Sequence, residues 1–272
     1  CPEAVDAVRA LLENEWGNPS SVHRLGIQAR QALTRARGQV AQAMGAEESR
    51  VFFTSGGTEA DNWAIFSAAE RLGKRGRHII TTAVEHHAVL HPMQKLAQQG
   101  FDVTFLPPDE AGRVSLAQLQ AALRPDTILV SIMLVNNETG AVMPIEKMAK
   151  LTHRQCPAAL FHTDAVQGLF KVPFQAKTLG ADLISVSGHK IHAIKGSGAL
   201  YIRPGLTLPP LLLGGGQEQN YRSGTEALPA IAAFGAACAA AYPTRMADLR
   251  HQAALRDTLR QNIAQLPGWQ LL

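Results

Sequence analysis

The 272-residue chain has no apolar run approaching the ~18 residues that a membrane-crossing helix needs, and no leader pattern for secretion opens it. Blocks of about five like charges are also missing. Its 26 basic and 22 acidic residues leave a net charge of +4, a mild surplus that suits an anionic ligand. That balance excludes the basic stripe expected of a nucleic-acid binder and the patch expected at a membrane surface, so neither partner is expected. Cysteine is scarce as well. Cys1, Cys156 and Cys238 are odd in number and widely spaced, which excludes a disulfide framework and a cysteine metal cluster. A reducing compartment, by default the cytoplasm, is the expected location. Internal repeats and low-complexity segments are absent.

What the chain does have is alternation. VFFTS (51–55), HIITTAV (78–84), DVTFLP (102–107), TILVSIMLV (127–135), LFHTDAV (160–166), DLISVS (182–187) and GALYIR (198–203) read as strand-like apolar runs, TILVSIMLV as a buried strand. Between most of them lie segments with apolar residues at helical spacing. They include GGTEADNWAIFSAAERLG, HHAVLHPMQKLAQQG, SLAQLQAALR with Ser115 as its cap, and IEKMAKLTHRQ after Pro144. Such a series predicts an α/β fold, a mostly parallel seven-stranded sheet with helices on both faces. GALYIR follows its predecessor too closely for a helical crossover, so it is expected to run antiparallel. From about residue 228 the chain turns Ala-rich, and 246–266 reads as one long amphipathic helix. The ends read as cut: CPEAVDAVRALL is a helix without a preceding strand, and PGWQLL resembles the start of one. A piece of a longer protein is expected.

In open α/β sheets ligands bind at the carboxyl ends of the strands. After VFFTS come Gly56, Gly57, Thr58 and Glu59, at a helix N-terminus that suits a phosphate or serves as an ordinary tight turn. After HIITTAV come Glu85, His86 and His87. Two histidines without a well-spaced third ligand make a poor metal site, so stacking of His86 on a planar ring competes with a plain loop histidine. The next strand ends in Asn136-Asn137-Glu138-Thr139-Gly140. LFHTDAV brings Asp164, followed by Gln167, and DLISVS runs into Ser187-Gly188-His189-Lys190. A phosphate-suited loop, a histidine, an amide, a carboxylate with a glutamine, and a lysine have one economical explanation. A pyridoxal phosphate enzyme needs a lysine for the Schiff base, a carboxylate against the pyridinium nitrogen, an anion site and donors to the phenolic oxygen.

FTSGGTEADNWAI, VEHHAVL, VSIMLVNNETG, FHTDAVQ, SGHK, KGSGALY, GGGQE and RSGTE, with NPSSVHRLG (18–26), stand in the order found in cysteine desulfurases. The chain resembles the iron–sulfur-cluster and nitrogen-fixation type of these fold-type-I, class V aminotransferase-like enzymes along nearly its whole length. The resemblance implies that Lys190 is the Schiff-base lysine and His86 the ring-stacking, proton-shuttling histidine. It implies Asp164 as the pyridinium partner, and Asn137 and Gln167 near the phenolic oxygen. Gly57, Thr58, Ser187 and His189 match the phosphate cradle. Thr225 matches a residue that reaches the phosphate of a neighbouring subunit, so a homodimer is implied. L-Cysteine is the implied substrate, and a sulfur-acceptor or scaffold protein the implied partner.

Lys195 stands in AIKG, where the family usually has GPKG, and QEQNYRSGT replaces the commoner QERGxRSGT. By the same resemblance, residues 1–240 form the cofactor-binding large domain and 241–272 the linking helix and beginning of a smaller one. The nucleophilic cysteine and the arginine for the substrate carboxylate would lie beyond residue 272, so this piece alone is expected to be inactive. Selenocysteine lyases and aminotransferases of the same fold type are the nearest rivals. VEHHAVL, NNETG and RSGTE argue against aminotransferases. A catalytically silent partner is the rival from another class, and intact Lys190, Asp164 and His86 weigh against it.

Overall fold

A computed structural model describes residues 1–14 and 16–268. In chain order the elements begin with helices α1 (Pro2–Asn14) and α2 (Arg24–Met44). Strand and helix then alternate through β1 (Val51–Thr54), α3 (Gly57–Leu72), β2 (His78–Thr82), α4 (His87–Gln98), β3 (Asp102–Leu106) and α5 (Leu116–Ala122). There follow β4 (Thr127–Ser131), α6 (Ile145–Gln155), β5 (Leu160–Asp164), α7 (Ala176–Leu179), β6 (Leu183–Ser187) and β7 (Gly198–Ile202), and α8 (Leu228–Ile263) closes the series. Every apolar run named above forms a strand; six are buried throughout, as strands covered on both faces are, whereas β3, at the sheet edge, leaves Asp102 and Phe105 exposed. The expected start of a strand in PGWQLL reaches residues 269–272, outside the described residues.

The seven strands form one sheet in the order β1-β7-β6-β5-β4-β2-β3. β7 is antiparallel to both of its neighbours, as the short connection before it required. Reversing one strand between β6 and β1 leaves the other six pointing the same way. The carboxyl ends of β1, β2, β4, β5 and β6 therefore open on one side. Helices α3 and α4 cover one face through Trp63, Ile65, Val89 and Met93. On the other face, α1, α2, α6 and α8 bury Leu11, Val40, Met148 and Phe234. Ser115 caps α5 through a reciprocal hydrogen-bonded box with Gln118.

TILVSIMLV leaves regular pairing at Ser131, but the chain still runs beside β5. Ile132 N donates to His162 O at 3.1 Å and Leu134 N to Asp164 O at 2.8 Å, which clamps the end of β5. The Ala-rich segment and the amphipathic segment are one 36-residue helix, α8, continuing through Pro243. Its buried residues run from Leu228 to Cys238, where it packs on α1 and α2.

Candidate active site

A cavity of about 450 Å³ opens at the five strand ends, lined by Gly57, Thr58, His86, Asn137, Asp164, Gln167, Ser187, His189 and Lys190 among others. These are nine of the ten site residues named from sequence. Thr225, the tenth, does not line it; its neighbours Gly224 and Glu226 line a separate hollow with Ser55 and Arg222. Asp61, Met133, Val135, Glu138 and Val166 also line the main cavity and were not among the site residues named from sequence. Asp61 left a signal there: it heads the 61-65-68-72 stripe of α3, a carboxyl on a face otherwise buried and apolar or small.

Local chemistry explains the convergence. Gly57 opens α3, and a Cβ there would sit 2.6 Å from Val166 Cγ2. A Cβ on Gly198 would likewise meet Gly56 backbone at 2.6 Å, so these two glycines let β1, β7 and the 164–167 turn close together. The first N–H groups of α3 have no partner within the helix and carry its positive dipole end toward the cavity mouth. His86 caps α4, its Nδ1 accepting from Ala88 N at 3.1 Å. That bond occupies Nδ1 and leaves Nε2 as the ring nitrogen open to the cavity. Ser187 Oγ and His189 Nδ1 are 2.9 Å apart.

The acids are the unusual part. Asp164 is 6% exposed and accepts from Val166 N at 2.8 Å. Burial, then the charge of Asp61, raises its pKa to about 7. Burial also raises Asp61 to about 7 and Glu85 to about 8. Glu85 Oε1 accepts from Thr82 Oγ1 at 2.7 Å and Met133 N at 3.0 Å, while Oε2 has no partner. His162, beside them, is fully buried and pushed down to about 4, so it is neutral at pH 7 and supplies no counter-charge. Lys190 makes no ion pair or hydrogen bond through its ammonium among the described residues. Lys171, unforeseen from sequence, donates to Gln167 Oε1, which leaves the Gln167 amide nitrogen free for another acceptor. Among the described residues no cluster of metal-ligating side chains occurs.

Residues 1–272, the whole chain, match the aminotransferase class-V family. The chain belongs to that family. Its members depend on pyridoxal phosphate, and the residues here fit the group. The cavity joins a helix N-terminus cleared of side chain at Gly57, a buried carboxyl lacking a cation, and an unpaired lysine. Among curated relatives, the chain is 45% identical to cysteine desulfurase IscS of Methanosarcina thermophila, over 97% of this chain and 65% of that protein. It is 47% identical to cysteine desulfurase 2 of Trichormus variabilis, over 96% and 65%. A solved NifS-like protein superposes with a TM-score of 0.95 at 38% identity, covering 98% of this chain and 73% of the other. SspA in complex with cysteine superposes at 0.83 with 36% identity, covering 93% and 74%. The chain thus spans about 65% of the length of the first curated relatives it matches. Among the described residues no helix is long and apolar enough to cross a membrane.

The cysteines agree with the sequence reading. Cys238 is fully buried, with its thiol pushed far up by burial, and Cys156 is buried with Sγ on Arg124 O at 3.2 Å. Neither faces the cavity.

Proposed function

We propose that this chain is the cofactor-binding part of a cysteine desulfurase, with pyridoxal phosphate bound covalently through Lys190. The observation that carries the reading is the convergence of Lys190, Asp164, His86 and the Gly57–Thr58 helix start on one cavity. Bound there, the cofactor supplies an electron sink for charge developing on the amino acid substrate. Asp164 would hold the ring-nitrogen proton. The N–H groups at the start of α3, with Thr58, Ser187 and His189, would hold the phosphate. Asn137 and the free amide nitrogen of Gln167 would serve the phenolic oxygen. His86, its Nδ1 engaged by the α4 cap, presents Nε2 for ring contact and proton transfer.

In the reaction, L-cysteine and an enzyme thiol give L-alanine and an enzyme persulfide. The carbon–sulfur bond of the substrate breaks and a sulfur–sulfur bond forms, the thiol proton passing to the products. Neither Cys156 nor Cys238 is placed to be that thiol. The name of the cysteine-bound neighbour and the names of the curated relatives support L-cysteine as the substrate. The same reading includes a cytoplasmic homodimer in which Thr225, outside its own cavity, serves the partner's phosphate site. It also includes a protein that accepts the sulfur for iron–sulfur cluster assembly, and a domain division near residue 240, where burial of α8 ends.

Borohydride treatment in the presence of pyridoxal phosphate tests the central claim. The label should fall on Lys190 and disappear in Lys190→Ala, while Lys195→Ala keeps it. A label that follows Lys195 would overturn the assignment.

A further inference from the structure

Asp61 has no place in the reading above, and its surroundings are specific. α3 packs across β4, β5 and β6, and Asp61 is 1% exposed beneath it. Its Oδ1 has no hydrogen-bond partner; His162 Nε2 lies 3.5 Å away. That nitrogen is 3.0 Å from Ser185 Oγ, and His162 Nδ1 is 2.8 Å from Ser131 Oγ. His162 and Asp164 stand two apart on β5 and so share a face. In register, Ser131 pairs with His162 and Ser185 with Asp164. The result is a polar layer between sheet and helix, with Asp61 and Asp164 both lining the cavity.

We propose that Asp61 is a second acid of the cofactor site, a positioning residue that acts through Asp164 and holds the extra negative charge against which the ring-nitrogen proton is kept. This rests on the cofactor reading. Both carboxyls are buried and line one cavity, and the charge of Asp61 helps raise Asp164, so ionising both without a cation is disfavoured. The groups facing them are Asp164 and His162 on β5, Glu85 after β2 and His86 at the start of α4. None is a fixed cation; Lys190 lines the same cavity, but its ammonium pairs with neither carboxyl among the described residues. A protonated ring nitrogen on Asp164 supplies the missing charge, so Asp61 can release its proton when the cofactor binds. The unpartnered oxygen is then a group waiting for a charge, with no described side chain hydrogen-bonded to it.

The test is pyridoxal phosphate affinity of the cofactor-free protein, measured by absorbance titration across neutral pH for wild type and Asp61→Asn. At acid pH, where Asp61 is already protonated, the two should coincide. As pH rises through about 7, wild type should gain up to about tenfold over the variant, the equivalent of one pKa unit. A purely structural role predicts an equal loss at every pH, and either that outcome or superimposed curves overturns the proposal. Carboxyl ¹³C titration of wild type decides independently of how the variant folds. The Asp61 midpoint should lie near neutrality without cofactor and fall when it binds; a midpoint near an ordinary aspartate's, about 4, overturns it. A wild type that takes up no pyridoxal phosphate at any pH sinks the cofactor reading as well. Binding with no pH-dependent difference sinks this inference alone.

Discussion

Glu218→Ala should be among the most destabilising single changes in the chain outside the cavity. Glu218 is buried, and its carboxylate accepts from Arg37 Nη2 at 2.6 Å, Arg37 Nη1 at 2.8 Å and Phe53 N at 2.8 Å. Arg37 Nη1 also donates to Val51 O at 2.7 Å. β1 is an edge strand, so this pair covers the outward backbone groups that β7 leaves unpaired. The clamp works against its own backbone. Glu218, Gln219 and Asn220 have φ of 48, 58 and 70°, and left-handed non-glycine residues cost about 1–2 kcal/mol each. Three charge-assisted bonds at about 1.5–3 kcal/mol each outweigh that strain.

Removing Glu218 strands the Arg37 guanidinium and the Phe53 N–H. Breaking a buried pair from one side costs about 3–5 kcal/mol, and recovered strain brings the expected loss to the lower end, about 3 kcal/mol. At about 2–4 °C per kcal/mol for a chain of this size, the melting temperature should drop by about 6–12 °C. Circular dichroism melts at fixed pH are the assay. Arg37→Met with Glu218→Leu should restore part of the loss, because a buried pair exchanged for apolar groups is often neutral. A drop below about 2 °C for Glu218→Ala would refute the reasoning, since no buried charge would then have been stranded.

Gly57→Val should weaken pyridoxal phosphate binding by at least about tenfold, and Val166→Ala should recover part of it, because the new side chain collides first with Val166 Cγ2; absorbance titration reads both. Stability of the cofactor-free protein should fall as pH rises through about 7. Asp61, Asp164 and Glu85 have folded pKa values raised to about 7, 7 and 8 from 3.8, 3.8 and 4.5. Their contribution is therefore full below the unfolded values and lost as pH rises through the folded ones. His162, lowered to about 4 from 6.5, contributes above 6.5 and loses that contribution as pH falls toward 4. Asp61→Asn should flatten the decline between the unfolded value of 3.8 and the folded one of about 7 and be the more stable protein above it; urea midpoints at several pH values check this, and an unchanged slope contradicts it. Iodoacetamide should leave Cys238 unmodified in the folded protein and reach it only on unfolding, as mass spectrometry would register.

Much of the fold is written locally. Strands buried between helices are largely apolar on both faces, which made six of the runs visible, while the half-exposed edge strand β3 showed through its own apolar letters; the brevity of the link before GALYIR forced its reversal. Ser115 and the residues after each strand were legible for the same reason: caps and strand-end loops are decided by neighbours in the chain. Nine cavity residues follow from that rule together with motif resemblance. What sequence could not supply depends on which elements lie side by side. The place of β7 between β1 and β6, the merging of two helical segments through Pro243, and the Arg37–Glu218 clamp across 181 positions are settled by packing. Asp61 is the sharpest case. Its letter reads as one acid in a helix, ordinarily solvated. Only the seating of α3 on β5, with Asp164 and a neutral His162 beneath it, removes its water and gives it another acid as neighbour. Desolvation and charge proximity are properties of the assembled interior, and no local stretch of chain contains them.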